Sequence, residues 1–253
     1  MGHGFVCLLI FRAGKNPGLF FLPENQIFGY KWSELQSSKR IGTAAMAKKY
    51  KNSLKEASTM EFNCTALDKV LHDFLTLKKI RRTGWQLRGI RNGESLADHC
   101  FGVILLTHML AGLLNTQIDR ERAVAIAIVH ELGECRVGDI PYTALKYFPD
   151  KSKIELQAVE DILGPLGQKI TAENLKLFQE FEDGVSIEAR FVKAIDKLDM
   201  LITAAEYEKT GFAGLSDFWH NSSTFKSLAE FPELAKYAEH LRSTRESRLS
   251  GQQ

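Results

Sequence analysis

The chain has 253 residues, 44% of them apolar and 25% charged, with a formal net charge of +2. That length holds one large domain, or a domain with an extension, and the composition is that of an ordinary globular protein rather than a low-complexity or disulfide-built one. A net charge of +2 without a long basic run argues neither for nor against nucleic acid, and no stretch has the apolar length of a membrane span.

The first 60 residues differ from those that follow. Phe5 to Phe11 (FVCLLIF) has the apolar core of a signal peptide but no basic residue ahead of it and no small-residue cleavage site close behind, so it reads as a strand or an unstructured apolar tag. Residues 14–29 mix glycine, proline and phenylalanine without helical period, and residues 33–59 are polar and lysine-rich. Residues 1–60 are therefore read as an N-terminal extension whose order the composition leaves open, with Met46 and Met60 as alternative starts. The four cysteines, Cys7, Cys64, Cys100 and Cys135, show no CxxC pairing and read as reduced thiols in a cytoplasmic setting.

Residues 61–250 read as one helical domain. Leu67, Val70, Leu71, Phe74 and Leu77 keep the three-to-four spacing of an amphipathic helix. A loop from Arg81 to Ser95 leads to a strongly apolar helix over Ser95 to Leu114. Asp119 is the N-cap of a third, Arg120 to Cys135. Gly138 and Pro141 break the chain there, and a loop continues through Tyr147-Phe148-Pro149. Further helices are expected at 152–163, at 171–182 with Thr171 as cap, at 186–210 with Ser186 as cap, and at 230–248. With no alternating strands in this part and no internal repeat, the fold class is all-α, a bundle of six or seven helices.

The chemistry concentrates in Val129 to Pro141, VHELGECRVGDIP. The preceding run, Ala123 to Val129, is apolar on every side and belongs inside the protein. His130, Glu131, Glu134 and Asp139 then emerge at the mouth of a buried helix, where ionisable groups are costly unless compensated. A divalent cation compensates them, since imidazole nitrogen and carboxylate oxygen are both metal ligands. Of the two histidines on the preceding helix, nine residues put His99 and His108 on opposite faces, so at most one reaches a shared site. His108, mid-helix among apolar residues, reads as a hydrogen-bonded core residue. On the helix at 186–210, Asp196 shares the stripe of Val192, Ile195 and Met200 and needs a cation or several donors, with Lys193 or Lys197 as the ion-pair alternative. Asp199, on the flank, reads as solvated.

His99, His130-Glu131 and Asp196 make an H…H-E…D order that resembles the HD-domain superfamily of metal-dependent phosphohydrolases, whose pattern is H…HD…D. Arg82-Thr-Gly-Trp85, Glu94 to His99, Glu134 four residues after His130, Gly138-Asp-Ile-Pro141 and Lys146-Tyr-Phe148 look like the YfbR-type 5′-deoxynucleotidase branch over residues 65–210. The resemblance implies that His99, His130, Glu131 and Asp196 hold one divalent transition metal. It implies that Glu134 orients or deprotonates the attacking water, and that Asp139 acts near the leaving oxygen or the sugar. Arg82 and Trp85 would line the phosphate and sugar pocket, with Lys146 and Tyr147 nearby. Mixed nitrogen and oxygen ligands suit Mn²⁺, Co²⁺, Fe²⁺ or Zn²⁺ better than Ca²⁺ or Mg²⁺. Between Glu131 and Trp219 there is no histidine, which argues against the dinuclear site of some relatives. One departure stands out: the superfamily doublet is His-Asp and here it is His130-Glu131.

The expected activity is hydrolysis of (deoxy)nucleoside 5′-monophosphates to nucleoside and phosphate by a homodimer, with a small-molecule nucleotide as the partner and neither nucleic acid nor membrane. The alternatives are another phosphohydrolase of the same superfamily acting on a dNTP or other phosphate ester, and a nucleotide-binding module impaired by the glutamate. The basic residues Lys78, Lys79, Arg81, Arg82, Arg88 and Arg91 read as phosphate-pocket and surface charges.

Overall fold

The computed structural model describes residues 6–10, 18–22 and 62–251, and the chain divides into two units, Met1–Phe62 and Asn63–Gln253. In the first unit, β1 (Val6–Ile10) and β2 (Gly18–Leu22) form an antiparallel two-stranded hairpin with Leu8 opposite Phe20. The apolar run at the N-terminus is therefore a strand, paired with an equally apolar one. The expected polar stretch and its alternative starts, Met46 and Met60, lie outside the described residues.

The second unit is all-α. Helix α1 (Cys64–Leu77) starts at Asn63, whose side chain accepts the Ala66 N–H. A single turn, α2 (Thr83–Gln86), follows. Helix α3 (Leu96–Leu110) opens with a reciprocal capping box: Ser95 Oγ accepts the Asp98 N–H while the Asp98 carboxylate accepts the Ser95 N–H. This fixes the first turn of α3, the turn that carries His99. Helix α4 (Arg120–Val129) is capped by Asp119 as expected. It stops six residues earlier than its sequence pattern suggests. Beyond Val129 the bonds shorten to three-residue steps, Leu132 to Val129 and Glu134 to Glu131, which tightens the chain and turns it away. A one-turn helix, α5 (Glu134–Val137), and a 3-10 segment (Tyr142–Tyr147) follow.

Then come α6 (Lys151–Leu163), α7 (Gln168–Asp183), α8 (Ile187–Lys209), the turn α9 (Ser216–Trp219), α10 (Ser222–Ala229) and α11 (Pro232–Ser250). Seven of these helices span ten residues or more. Ser186 caps α8 through the Ala189 N–H, as expected. Thr171 does not cap α7: the helix starts three residues sooner, and the Thr171 hydroxyl donates to the Gly167 carbonyl inside its first turn. The short α2, α9 and α10 were not expected, because four to eight residues carry too little periodicity to register.

Helix α8 is the central element and packs against α3, α4, α7, α10 and α11. Val192, Ile195, Leu198 and Leu201 on it are fully buried, each contributing roughly 1.5–3 kcal/mol of hydrophobic stabilisation relative to exposure. A smaller apolar cluster joins Val70 of α1, Val129, Val159 and Ile162 of α6, and Phe178 of α7. The two clusters clamp α4 from both sides, so its C-terminal end is held rigidly where the polar residues emerge.

Candidate metal centre

Three helix positions converge. His99 comes from the first turn of α3, His130 and Glu131 from the C-terminal end of α4, and Asp196 from the middle of α8. One ligand atom from each lies within 4.8 Å of every other. The Nε2 of His99 is 3.2 Å from Asp196 Oδ1 and 3.7 Å from Glu131 Oε1, and the Nε2 of His130 is 3.9 Å from the same glutamate oxygen.

Each imidazole is held from behind. The Nδ1 of His99 pairs with Asp199 Oδ2 at 2.8 Å, and the Nδ1 of His130 donates to the Ala127 carbonyl at 2.7 Å. With Nδ1 as the donor, both Nε2 lone pairs point at the shared centre, the arrangement by which outer partners orient metal-binding histidines. Both Nε2 atoms are buried and lack any hydrogen-bond partner among the described residues. Two orphaned imidazole nitrogens facing two carboxylates are costly as a purely protein arrangement. They are a matching donor set for a divalent cation. The longer side chain of Glu131 brings its oxygen to the centre, so the departure from His-Asp does not break the cluster.

The electrostatics follow from the crowding. Burial and the Arg82 charge disfavour protonation of His99, but the neighbouring Asp196 and Asp199 carboxylates outweigh them and, as long as no cation lies between the ligands, raise it to about 9. Burial pushes His130 down. Asp196 is buried, yet Lys197, His99 and Arg82 hold its carboxyl well below the usual range. Burial also opposes ionisation of Glu131, and His130, Arg82 and His99 overcome it. Glu134 moves the other way: burial, with the charges of Glu131 and Asp139, raises it.

The centre forms one wall of a cavity of about 510 Å³. Arg82, Glu134 and Asp139 line it, as expected from sequence. Arg82 Nη1 donates to Glu131 Oε1 at 3.2 Å. The Asp139 carboxylate accepts the Thr83 N–H at 2.6 Å, and the Thr83 hydroxyl returns a bond to the Asp139 carbonyl at 2.8 Å. Gly138, at φ +81°, makes the turn that brings Asp139 back to α2, a backbone angle that favours glycine.

Trp85 borders the cavity but is only 2% exposed. Its ring stacks on Phe218 at 4.6 Å and its Nε1 donates to Glu94, so it supports the wall and has no donor to offer. Lys146 and Tyr147 are not brought to the site. Tyr147 is 71% exposed and its ring takes the Lys146 ammonium, because the 3-10 segment turns this pair outward. Tyr142, Thr143 and Lys151 line the cavity in their place.

Two further expectations are corrected. His108 is exposed on the far side of α3 rather than a core residue, and Asp199 is buried and bonded rather than solvated. Asp199 was legible only as a second aspartate one turn after Asp196, a spacing that puts both on one face of α8. Its neighbour across the interface is Gly102. A Cβ there would fall 2.3 Å from Asp199 Oδ1, so only glycine lets the carboxylate approach His99. Lys151 and the buried Glu155 on α6 were also missed; Lys151 pairs with Glu155 and lies 3.6 Å from Glu134.

Comparison with known proteins bears on the family. The HD domain family model matches residues 74–234. The 5′-deoxynucleotidase HDDC2 of Homo sapiens is 31% identical over 172 residues, 66% of this chain and 82% of that protein. The 5′-deoxynucleotidase hdd1 of Schizosaccharomyces pombe is 40% identical over 148 residues, 56% of this chain and 73% of that protein. Among solved structures, a conserved hypothetical protein from Pyrococcus furiosus superposes with a TM-score of 0.60 at 37% identity, over 70% of this chain and 99% of that one.

Proposed function

We propose that this chain, which belongs to the HD domain family, is a metal-dependent phosphomonoesterase that hydrolyses (deoxy)nucleoside 5′-monophosphates to nucleoside and phosphate. The observation that carries the reading is the pair of unpartnered Nε2 atoms of His99 and His130, aimed with Glu131 and Asp196 into the wall of a cavity also lined by Arg82 and Glu134. The names of the relatives support the nucleotide class. The catalytic unit lies within residues 61–250.

His99, His130, Glu131 and Asp196 would hold one divalent ion, with Mn²⁺, Co²⁺, Fe²⁺ and Zn²⁺ matching the two-nitrogen, two-oxygen set. Such an ion supplies charge neutralisation at phosphate oxygens and water acidified to near neutral pH. The protein's own groups do the rest. Glu134, which lines the cavity beside Glu131, orients the attacking water and in its carboxylate form takes its proton. Arg82 answers the phosphate charge with a planar guanidinium whose second edge is free of Glu131. Water adds to phosphorus, the bond from phosphorus to the ester oxygen breaks, and that oxygen leaves as the nucleoside hydroxyl with the proton the water gave up. Asp139, held by Thr83, sits on the side of the leaving oxygen or sugar. Trp85, packed on Phe218, keeps the wall in place.

A homodimer fits the apolar stripe of Phe101, Leu105, Met109 and Leu113, spaced four residues apart and exposed along α3 and its end. A cytoplasmic setting fits the free thiols of Cys64, Cys100 and Cys135. Among the described residues no helix is long and apolar enough to cross a membrane.

The test is phosphate release from a panel of deoxynucleoside and ribonucleoside monophosphates by protein loaded with Mn²⁺ or Co²⁺. Release is expected, and His130→Ala and Asp196→Ala should lose both metal and turnover. No release from any monophosphate overturns the reading, and release from triphosphates alone redirects it within the family.

A further inference from the structure

Five cationic side chains line the cavity, and four of them are answered by carboxylates. Arg82 pairs with Glu131 at 3.2 Å, Arg88 with Asp217, Lys151 with Glu155 and Glu134, and Lys197 with Asp196 at 2.9 Å. Lys193 is the exception: among the described residues no carboxylate lies within 4.0 Å of its ammonium.

Its position is specific. Lys193 and Asp196 are one turn apart on α8, so the helix face that presents a carboxylate to the metal centre also presents this cation. The lysine stem runs past Gly184, with Cε 3.5 Å from where a Cβ would stand. The ammonium lies 4.4 Å from the centroid of the Phe181 ring, and the same ring meets the His130 imidazole edge to face at 5.4 Å. One aromatic ring therefore separates Lys193 from a ligand of the centre. A ring face compensates a half-buried ammonium only in part. Burial accordingly lowers the Lys193 pKa, against the pull of Glu182 and Asp196. A cation left under-compensated beside an open cavity is suited to an anion that arrives from solution.

We propose that Lys193 is a phosphate-binding residue, its ammonium taking an oxygen of the phosphate group of a dianionic monoester, and of the inorganic phosphate product, in the cavity beside the centre. This rests on the phosphohydrolase reading above. It goes beyond that reading in giving the phosphate a second protein cation besides Arg82, supplied by α8 rather than by the loop around Lys146.

Inorganic phosphate is the probe. Its affinity is measured by calorimetric titration of metal-loaded wild type, Lys193→Met, Lys193→Gln and Lys193→Arg, with metal content of each from elemental analysis and an uncharged deoxynucleoside as control ligand. Loss of one charged hydrogen bond predicts phosphate binding about 10- to 100-fold weaker in the methionine and glutamine variants. The arginine variant should stay within a few-fold of wild type, with metal content and nucleoside binding unchanged in all. Wild-type affinity in the methionine and glutamine variants overturns the assignment while leaving the phosphohydrolase reading intact. Loss of metal or of folding in all three variants, arginine included, assigns Lys193 a structural role and overturns it as well. Failure of metal-loaded wild type to bind phosphate at all overturns the parent reading.

Discussion

Asp199 meets the back of His99: its Oδ2 is 2.8 Å from Nδ1, and both groups are buried. The contact spans 100 residues of sequence and fixes which nitrogen of the imidazole faces the metal centre. It exists only because α3 has a glycine, Gly102, where α8 comes closest.

Removing that support should weaken metal binding without touching a ligand. Asp199→Ala is expected to reduce metal affinity about 10- to 100-fold. Asp199→Asn, which keeps an acceptor for Nδ1, should fall between the alanine variant and wild type. Gly102→Ala should reproduce the alanine phenotype by displacing the carboxylate. Competition with a chromogenic chelator measures all three, and unchanged affinity in Asp199→Ala would show that His99 needs no partner.

Glu131 stands where the His-Asp doublet of the pattern this sequence resembles has its aspartate. Its Oε1 lies within 3.9 Å of both imidazole Nε2 atoms and 3.2 Å from Arg82. The extra methylene therefore spans a real gap, and shortening it withdraws the oxygen by ~1 Å. Misplacement on that scale costs up to about 10²-fold in rate. Glu131→Asp is expected to lower turnover, or at best leave it unchanged, in a phosphate-release assay with metal in excess. A tenfold rise would mean that the glutamate impairs the site.

A pH effect is expected away from the centre. Glu180 on α7 accepts bonds from Arg122 of α4 and from Ser186, the cap of α8. Its own burial would raise the carboxyl, but Arg122 and Ser186 win and lower it. A carboxyl lowered by folding stabilises the native state above its unfolded value of about 4.3, and that contribution is lost as pH falls through the lower native value. Urea unfolding of wild type should therefore lose stability on acidification below about pH 4. Glu180→Gln should be less stable at pH 7 and show a shallower loss over that acid range.

The C-terminal helix is tied down by a buried ion pair. Arg245 of α11 donates to both oxygens of Glu208 on α8, at 2.7 and 3.0 Å, and again to the Ser216 hydroxyl. Breaking a buried pair so that one charge is stranded costs roughly 3–5 kcal/mol; here Arg248 Nη2, 3.3 Å from Glu208 Oε2, remains as a second partner. Arg245→Ala should therefore lose less than that range in denaturant unfolding. Arg245→Ala combined with Arg248→Ala strands the Glu208 carboxylate and should reach it.

The amino-acid sequence by itself determined the helical class, most of the helix starts, and the quartet His99, His130, Glu131 and Asp196. These are written in local patterns: caps such as Asp119 and Ser186 act within a few residues, and ionisable groups in an apolar stripe are conspicuous wherever they occur. Tertiary structure alone decided the rest. Where α4 ends, that Lys146 and Tyr147 face solvent while Lys151 and Lys193 face the cavity, and that Asp199 is bonded rather than wet all depend on distances between segments far apart in the chain. Periodicity reports which face of a helix a residue occupies. It carries no record of what that face meets, and a close approach such as that of Asp199 over Gly102 is set by packing between two helices rather than by either one.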